Sequence, residues 1–183
     1  MRAVFSAVAA LAVLPLVAVL TACGDPFGSG LNTVRLDSLT LASVNGPSTF
    51  ATAVDVATGN APTFPERPSQ AGSWDVQVRQ SGATFYLFPN PGNGSYRGAG
   101  LLKTSRTLDD PGDAPRESDQ YTRTQVAVAA GDVYYVQSRQ QNGQCGVVPK
   151  YGILKVISTV ADSGLARIAV LSNQNCNDER LDP

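Results

Sequence analysis

Apolar and polar residues alternate with a period of two over most of this 183-residue chain. The clearest case is residues 74–80, in which the apolar residues Trp74, Val76 and Val78 alternate with polar ones. Such alternation is typical of a β-strand that has one buried face. It predicts that Trp74 lies in the core and that Asp75, Gln77 and Arg79 face solvent.

The same pattern recurs along the chain and predicts an all-β fold. Strands are expected at residues 34–42, 50–56, 74–80, 83–88, 96–102, 121–129, 133–138, 152–160 and 166–172. Residues 81–82, 130–132 and 162–164 combine glycine with a polar residue, and each is expected to form the turn of a β-hairpin. No long helix is expected after the first 22 residues.

This number of short strands, separated by turn signals, indicates an antiparallel β-sandwich, similar in kind to immunoglobulin-like or transthyretin-like domains. The sandwich is predicted as a single domain over residues 33–183. Two longer segments interrupt the pattern: residues 58–73 are rich in proline, and residues 109–120 are rich in acidic residues and proline. Segments of this length in a small domain are often binding elements or mobile loops.

The first 22 residues have a different pattern and predict an apolar leader helix. Arg2 is followed by a nearly unbroken apolar run, which ends in the sequence Leu-Thr-Ala-Cys at residues 20–23. An uncleaved transmembrane helix is one alternative, since a span needs about 20 apolar residues. However, the run is alanine-rich, contains Pro15 and has no basic cluster after it. An ordinary secretory signal is the other alternative, but Leu20 is a poor residue three positions before a cleavage site.

The Leu-Thr-Ala-Cys sequence resembles the lipobox of bacterial lipoproteins. The resemblance implies that residues 1–22 are a signal peptide, that cleavage precedes Cys23, and that Cys23 carries lipid such as palmitate. Residues 23–32, rich in glycine, would then form a flexible tether. The domain would lie in the cell envelope, anchored by lipid and facing the periplasm or the exterior. Gly24 slightly favours the outer membrane, because an aspartate at this position favours the inner membrane in some bacteria.

Cys145 and Cys176 are the two cysteines that remain besides Cys23. Extracytoplasmic proteins meet oxidising conditions, so a disulfide between the two is expected, and a pair of buried free thiols is the alternative. The hairpin predicted around residues 162–164 would bring both cysteines to its open end. A bridge there would hold the base of the hairpin together.

The composition excludes several kinds of chemistry. The chain has no histidine, which excludes Ser-His-Asp and Cys-His catalysis and every metal site that uses histidine. Its net charge of −1 provides no basic field for nucleic acid. Acidic residues gather at Asp109, Asp110 and Asp113, and carboxylates at this density are candidates for a calcium site. A solvated acidic loop is the other interpretation.

The aromatic residues are candidates for a second kind of binding surface. A stacking platform for sugar rings would form if several of them shared one exposed face; the candidates are Trp74, Tyr86, Tyr96, Tyr121, Tyr134 and Tyr135. Ordinary core packing is the alternative interpretation. Tyr134 and Tyr135 are adjacent on one predicted strand, so one of them should face out if the other faces in.

These features predict a membrane-anchored extracytoplasmic lipoprotein that acts as a non-catalytic structural or interaction module and uses no cofactor. It would contact protein partners at the membrane surface, as an extrinsic accessory subunit of a respiratory, photosynthetic or envelope complex does. A carbohydrate- or calcium-binding module is the alternative. A hydrolase is less favoured, since the sequence contains no recognisable catalytic set of residues.

Overall fold

The computed structural model describes residues 31–141, 145 and 147–182. The predicted leader, Cys23 and most of the predicted tether lie outside the described residues. The described chain forms ten strands: β1 (Thr33–Ala42), β2 (Ala53–Asp55), β3 (Ala61–Thr63), β4 (Val76–Ser81), β5 (Thr84–Pro89), β6 (Gly100–Thr104), β7 (Val126–Val128), β8 (Val133–Gln137), β9 (Tyr151–Val160) and β10 (Leu165–Asn173). The helical elements of this part of the chain are three short 3-10 turns, and none of its helices is long and apolar enough to cross a membrane.

The strands form two five-stranded antiparallel sheets, which confirms the prediction of an all-β fold with two sheets. Sheet A has the strand order β1-β10-β9-β8-β6, and sheet B has the order β3-β2-β4-β5-β7. One apolar cluster contains residues from both sheets, for example Val76 and Leu87 from sheet B and Leu154 and Ile168 from sheet A. The two sheets therefore pack face to face over a shared core, as in a sandwich.

The two ends of the sandwich are named here after the residues that bound β1. Thr33 lies opposite Asn173, and Asn173 lies opposite Tyr151, so β1 and β9 begin and β10 ends at the Thr33 end. At the other end, the Ala42 end, Ala42 lies opposite Leu165. Since β1 has ten residues, a rise of about 3.4 Å per residue separates the two ends by roughly 30 Å.

Sheet A is buried over part of its outer face as well as on its inner face. Residues 105–125 and residues 174–182 cover the outer face, and a second apolar cluster that includes Tyr135 and Leu181 lies beneath them. The hydroxyl group of Tyr135 donates a hydrogen bond to the carbonyl of Pro111 at 2.5 Å. The acidic segment that the sequence suggests as a binding element or a mobile loop is therefore part of the packed structure.

This double burial explains why the expected alternation fails at Tyr134 and Tyr135. Both side chains are buried. Tyr134 belongs to the core between the sheets, whereas Tyr135 belongs to the cluster under the outer cover. A strand that is covered on both faces does not need a polar side.

Each predicted strand overlaps an observed one, but one strand and one connection differ from the prediction. β3 lies inside the proline-rich residues 58–73 and contains Pro62, which is tolerated because β3 is an edge strand of sheet B. The turns at residues 81–82 and 162–164 join β4 to β5 and β9 to β10, as predicted. The prediction of a hairpin at residues 130–132 is wrong, because the chain crosses there from β7 in sheet B to β8 in sheet A.

The edges of both sheets are short, interrupted or covered. β3 and β7, the edges of sheet B, have three residues each. In sheet A, the pairing of β1 shifts register between Leu36 and Leu39. At the opposite edge, β6 pairs on its outer side with the following connection through a bridge between Leu101 and Thr122.

The expected disulfide joins Cys145 to Cys176. Cys145 precedes β9 and Cys176 follows β10, so the bridge closes the open end of this hairpin at the Thr33 end. The position agrees with the prediction that a bridge holds the base of the hairpin together.

Replacing both Cys145 and Cys176 by serine is expected to lower the free energy of unfolding by about 3–4 kcal/mol. The bridge closes a loop with a sequence separation of 31 residues, and such a loop mainly restricts the unfolded chain. Urea unfolding with and without reductant measures the effect. Reductant should bring the wild type to the stability of the variant and leave the variant unchanged. A wild-type midpoint that does not move after verified reduction would contradict the prediction.

Candidate functional site

Three charged residues meet in the interior at the Thr33 end, and we call them the ion cluster: Asp55, Asp75 and Arg139. Asp55 ends β2 and Asp75 precedes β4, both in sheet B, whereas Arg139 follows β8 of sheet A. Their side chains are only 3%, 0% and 6% exposed, respectively. The ion cluster therefore links the two sheets through buried charges.

The guanidinium group of Arg139 donates hydrogen bonds to both carboxylates. Its Nη1 lies 3.0 Å from Asp55 Oδ1 and 3.0 Å from Asp75 Oδ1, and its Nη2 lies 3.1 Å from Asp55 Oδ2. The backbone N–H groups of Arg139 and Ala57 donate to Asp75 at 2.7 Å and 2.9 Å. Asp75 thus has several of the partners that a buried carboxylate requires.

The electrostatics of the ion cluster are set by burial and by an excess of carboxylate. Burial raises the pKa of Asp75 to about 6, because the charged form loses its hydration. The positive charge of Arg139 opposes this shift, and the negative charge of Asp55 adds to it. One guanidinium group therefore serves two carboxylates, and Asp75 binds a proton more readily than an exposed aspartate does.

A cavity of about 220 Å³ adjoins the ion cluster, and Ser138, Cys145 and Lys150 are among the residues that line it. The ammonium group of Lys150 donates to the carbonyl of Ala57 at 2.8 Å and to the side chain of Gln174 at 3.0 Å. Cys145 is held in the disulfide. Among the described residues that line the cavity, there is thus no hydrogen bond between the lysine ammonium and the serine hydroxyl, and no free thiol.

The sequence pattern does not reveal the ion cluster. The alternation in residues 74–80 predicts that Asp75 and Gln77 face solvent, and this prediction is wrong because both are buried. Asp75 is covered by the chain that follows β8 and supplies Arg139. No sequence signal pairs Asp55 with Arg139, since 84 positions separate them.

The acidic residues that the sequence suggests for calcium are not brought together. Asp109 pairs with Arg35 at 2.8 Å, and Asp110 pairs with Arg106 at 3.4 Å. Asp113 lies in a backbone bridge to the C-terminal segment. Over residues 31–141, 145 and 147–182, no group of three or more acidic, cysteine or histidine side chains is placed to hold a metal ion.

The aromatic residues do not form one exposed row in the described part of the chain. Four of the six candidates are buried: Trp74, Tyr121, Tyr134 and Tyr135. Trp74 is buried, as predicted, and its ring lies against Phe88, the cross-strand neighbour of Gln77, with 6.1 Å between the ring centroids. Tyr86 in β5 and Tyr96 in the following connection are half-buried.

Two adjoining grooves lie at the Ala42 end, and Val44 and Glu66 line both. The polar groove, of about 420 Å³, is further lined by Asn45, Pro65, Gln77, Arg79 and Gln80. The apolar corner, of about 360 Å³, is further lined by Gly46, Pro47, Ser48, Phe50, Thr52, Phe64 and Arg67. The sequence prediction does not include these grooves, because their residues come from separate connections that converge only in the fold.

The apolar corner exposes large apolar side chains to solvent. Val44 and Phe50, both in the connection between β1 and β2, are 40% and 38% exposed. The guanidinium group of Arg67 stacks over the ring of Phe64 at 3.8 Å from its centroid. A concave surface that combines apolar side chains with a few polar groups is typical of a binding site.

No protein-family model matches this chain, and no curated protein or solved structure was found to match it. Function depends on the residues and surfaces of a domain rather than on its fold class.

Replacing Asp75 by asparagine is expected to remove one part of the pH dependence of stability. The pKa of Asp75 is about 6 in the folded state and about 3.9 in an unfolded chain. The folded state therefore binds the proton more tightly, and this contribution to stability is lost as the pH rises from about 4 to about 6. The unfolding free energy of the wild type minus that of Asp75→Asn should therefore fall by on the order of 2 kcal/mol between about pH 4 and about pH 6.

Urea unfolding at a series of pH values measures this difference, and Asp132→Asn is the matched control. A hydrogen bond from Lys103 lowers the pKa of Asp132, so the corresponding difference for Asp132→Asn should rise with pH. If the Asp75 difference also rose with pH, the guanidinium of Arg139 would outweigh burial and the prediction would be wrong.

Proposed function

We propose that this protein is a lipid-anchored lipoprotein of the bacterial cell envelope that acts as a non-catalytic interaction module. The Leu-Thr-Ala-Cys sequence at residues 20–23 is the observation that carries the proposal. Lipobox processing would place a diacylglyceryl group on the sulfur of Cys23, and two acyl chains hold a protein stably at a bilayer. The domain would be a sandwich of the immunoglobulin-like or transthyretin-like kind that faces the periplasm or the exterior.

The disulfide between Cys145 and Cys176 supports an extracytoplasmic location. Disulfides form and persist in oxidising compartments and are rare in the reducing cytosol. The bridge joins segments on either side of the β9–β10 hairpin, where it has a structural use. Its location thus supports a role in stability rather than in redox chemistry.

The direction of β1 supports an interaction surface at the end of the domain that is farther from the membrane. Thr33 follows Cys23 by ten positions in the sequence, and ten residues span at most about 35 Å when fully extended. The polar groove and the apolar corner lie at the Ala42 end, roughly 30 Å beyond Thr33. A domain tethered through Cys23 could therefore present both grooves to a partner.

The exposed apolar side chains of the corner support a protein partner. Val44 and Phe50 lie close to the aromatic ring of Phe64 in one concave surface, and contacts between proteins favour such aromatic and apolar groups. An extrinsic accessory subunit of a larger membrane complex, whether respiratory, photosynthetic or of the envelope, fits this arrangement.

Replacing Cys23 by serine is expected to abolish membrane retention or processing of the leader, because no acyl chain can then be attached. Fractionation of cells into membrane and soluble material, with mass spectrometry of the N-terminus, measures the change. The double variant Cys145→Ser/Cys176→Ser is the control and should remain in the membrane fraction. Unchanged membrane association of Cys23→Ser after cleavage of the leader would overturn the lipoprotein assignment.

Replacing Phe50 by serine is expected to release the protein from its complex in mildly solubilised native membranes. Native electrophoresis followed by mass spectrometry identifies what co-migrates with the wild type. Val160→Ser is the matched control, since Val160 is 52% exposed but lines neither groove. Migration of the wild type as a lone monomer would contradict the interaction function, and equal losses in both variants would place the contact elsewhere.

A further inference from the structure

We propose that Arg79 recognises a peptide carboxylate, namely the C-terminal carboxylate of a partner chain whose last residues are apolar. The inference rests on the proposed interaction function and specifies the chemistry of its ligand. The site lies in the polar groove at the Ala42 end, next to the apolar corner.

The guanidinium group of Arg79 is held in a fixed plane by two neighbours. Its Cζ lies 3.4 Å from the centroid of the Phe88 ring, in a stacked cation–π contact. Its Nε donates a hydrogen bond to the side-chain oxygen of Gln77 at 3.1 Å. Both neighbours belong to sheet B and face each other across the β4–β5 pair. The side chain is therefore ordered before any ligand arrives, which lowers the entropic cost of binding.

The two Nη nitrogens of Arg79 remain available for a ligand. Within the described residues neither has a hydrogen-bond partner, and the residue lines the polar groove. The guanidinium groups of Arg35, Arg116 and Arg139, by contrast, are each paired with a carboxylate of this chain. A planar guanidinium with two free nitrogens matches a carboxylate through two parallel hydrogen bonds.

The charges around the two grooves favour an anion, although one carboxylate opposes it. Arg67 and Arg79 are positive and Glu66 is negative, so the charged residues lining the grooves carry a net positive charge. Glu66 accepts hydrogen bonds from Thr52 at 2.6 Å and from Gln77 at 3.3 Å. It thereby orients the Gln77 amide that holds Arg79, while its own charge repels a second carboxylate.

The adjoining apolar corner favours a peptide over an acidic sugar. A peptide whose terminal carboxylate meets Arg79 can direct its apolar side chains toward Val44, Phe50 and Phe64, which removes their surface from water. A uronic acid carries hydroxyl groups around its ring and would leave the corner uncovered. The shared Val44 and Glu66 make the two grooves one continuous surface.

The test uses the full chain purified in detergent and the probe N-acetyl-leucyl-leucine, with its C-terminal amide and glucuronic acid for comparison. Isothermal titration calorimetry gives the dissociation constants. NMR spectroscopy of the indole N–H of Trp74, the single tryptophan of the chain, gives a second readout. Its chemical shift should respond to binding near Arg79, because the Trp74 ring lies against Phe88. The free acid should bind and shift this signal, and the amide and the sugar acid should bind at least about tenfold more weakly, which corresponds to 1.4 kcal/mol.

Four variants separate recognition from folding. Arg79→Gln and Arg79→Lys should each raise the dissociation constant by about tenfold or more, since lysine keeps the charge but lacks the planar fork. Glu66→Gln should tighten binding, because a repelling charge is removed. Arg97→Gln is the matched control, an exposed arginine that lines neither groove, and should bind like the wild type.

Equal binding of acid and amide, or unchanged binding by Arg79→Gln, would overturn the inference. Tighter binding of glucuronic acid than of the peptide, dependent on Arg79, would overturn the choice of a peptide in favour of an acidic saccharide. If the probe fails to bind while the native complex still depends on Phe50, the carboxylate inference fails and the proposed interaction function stands.

Discussion

The sharing of one buried guanidinium by two carboxylates constrains the Thr33 end of the sandwich. Asp55 ends β2 and Asp75 directly precedes β4, two strands of sheet B, and Arg139 comes from the chain that leaves sheet A. Removing one partner from such a buried group typically lowers the free energy of unfolding by about 3–5 kcal/mol, because the remaining charge is left unmatched in the interior. The two sheets cannot slide or separate at this end without exposing that imbalance. The nearby disulfide and the cover over sheet A hold the same end.

The Ala42 end uses charge differently. There the guanidinium groups of Arg67 and Arg79 lie on aromatic rings at the surface rather than on carboxylates in the interior. Stacking fixes their orientation without neutralising their charge. Arg139 thus holds the two sheets together at the Thr33 end, whereas Arg67 and Arg79 present their charge at the surface of the Ala42 end. The charged surface at the Ala42 end is the main structural support for an interaction module.

The sequence predicts the local elements well and the long-range contacts poorly. Alternation and turn residues depend on neighbours in the chain, so the β4–β5 and β9–β10 hairpins and the disulfide at the base of the second hairpin could be anticipated. The burial of Asp75 could not, because it depends on Arg139, which lies 64 positions away. Tyr134 and Tyr135 differ from the prediction for a similar reason, since the alternation rule assumes one solvated face and all five residues of β8 are buried.

The candidate site shows the same limit. The polar groove and the apolar corner combine residues from the connections around β1, β2 and β3 with side chains of β4. None of these residues belongs to a motif, and Arg79 reads in the sequence as an ordinary polar position on a strand. Its guanidinium plane is held by Gln77 and Phe88, which are cross-strand neighbours, while its Nη nitrogens have no hydrogen-bond partner among the described residues.

The irregular edges of the sheets have a consequence for the proposed anchoring at a membrane. An open edge strand offers unpaired backbone groups to any neighbouring copy and is a common starting point for aggregation. Anchoring confines molecules to two dimensions, where copies meet far more often than in free solution. Several features disfavour such pairing here. The edge strands of sheet B have three residues each, and one of them contains Pro62. In sheet A, β1 shifts register near the charged Arg35 and Asp37, and β6 is covered by the following connection. Crowding on a membrane would thus leave each domain separate, with its grooves open to other molecules.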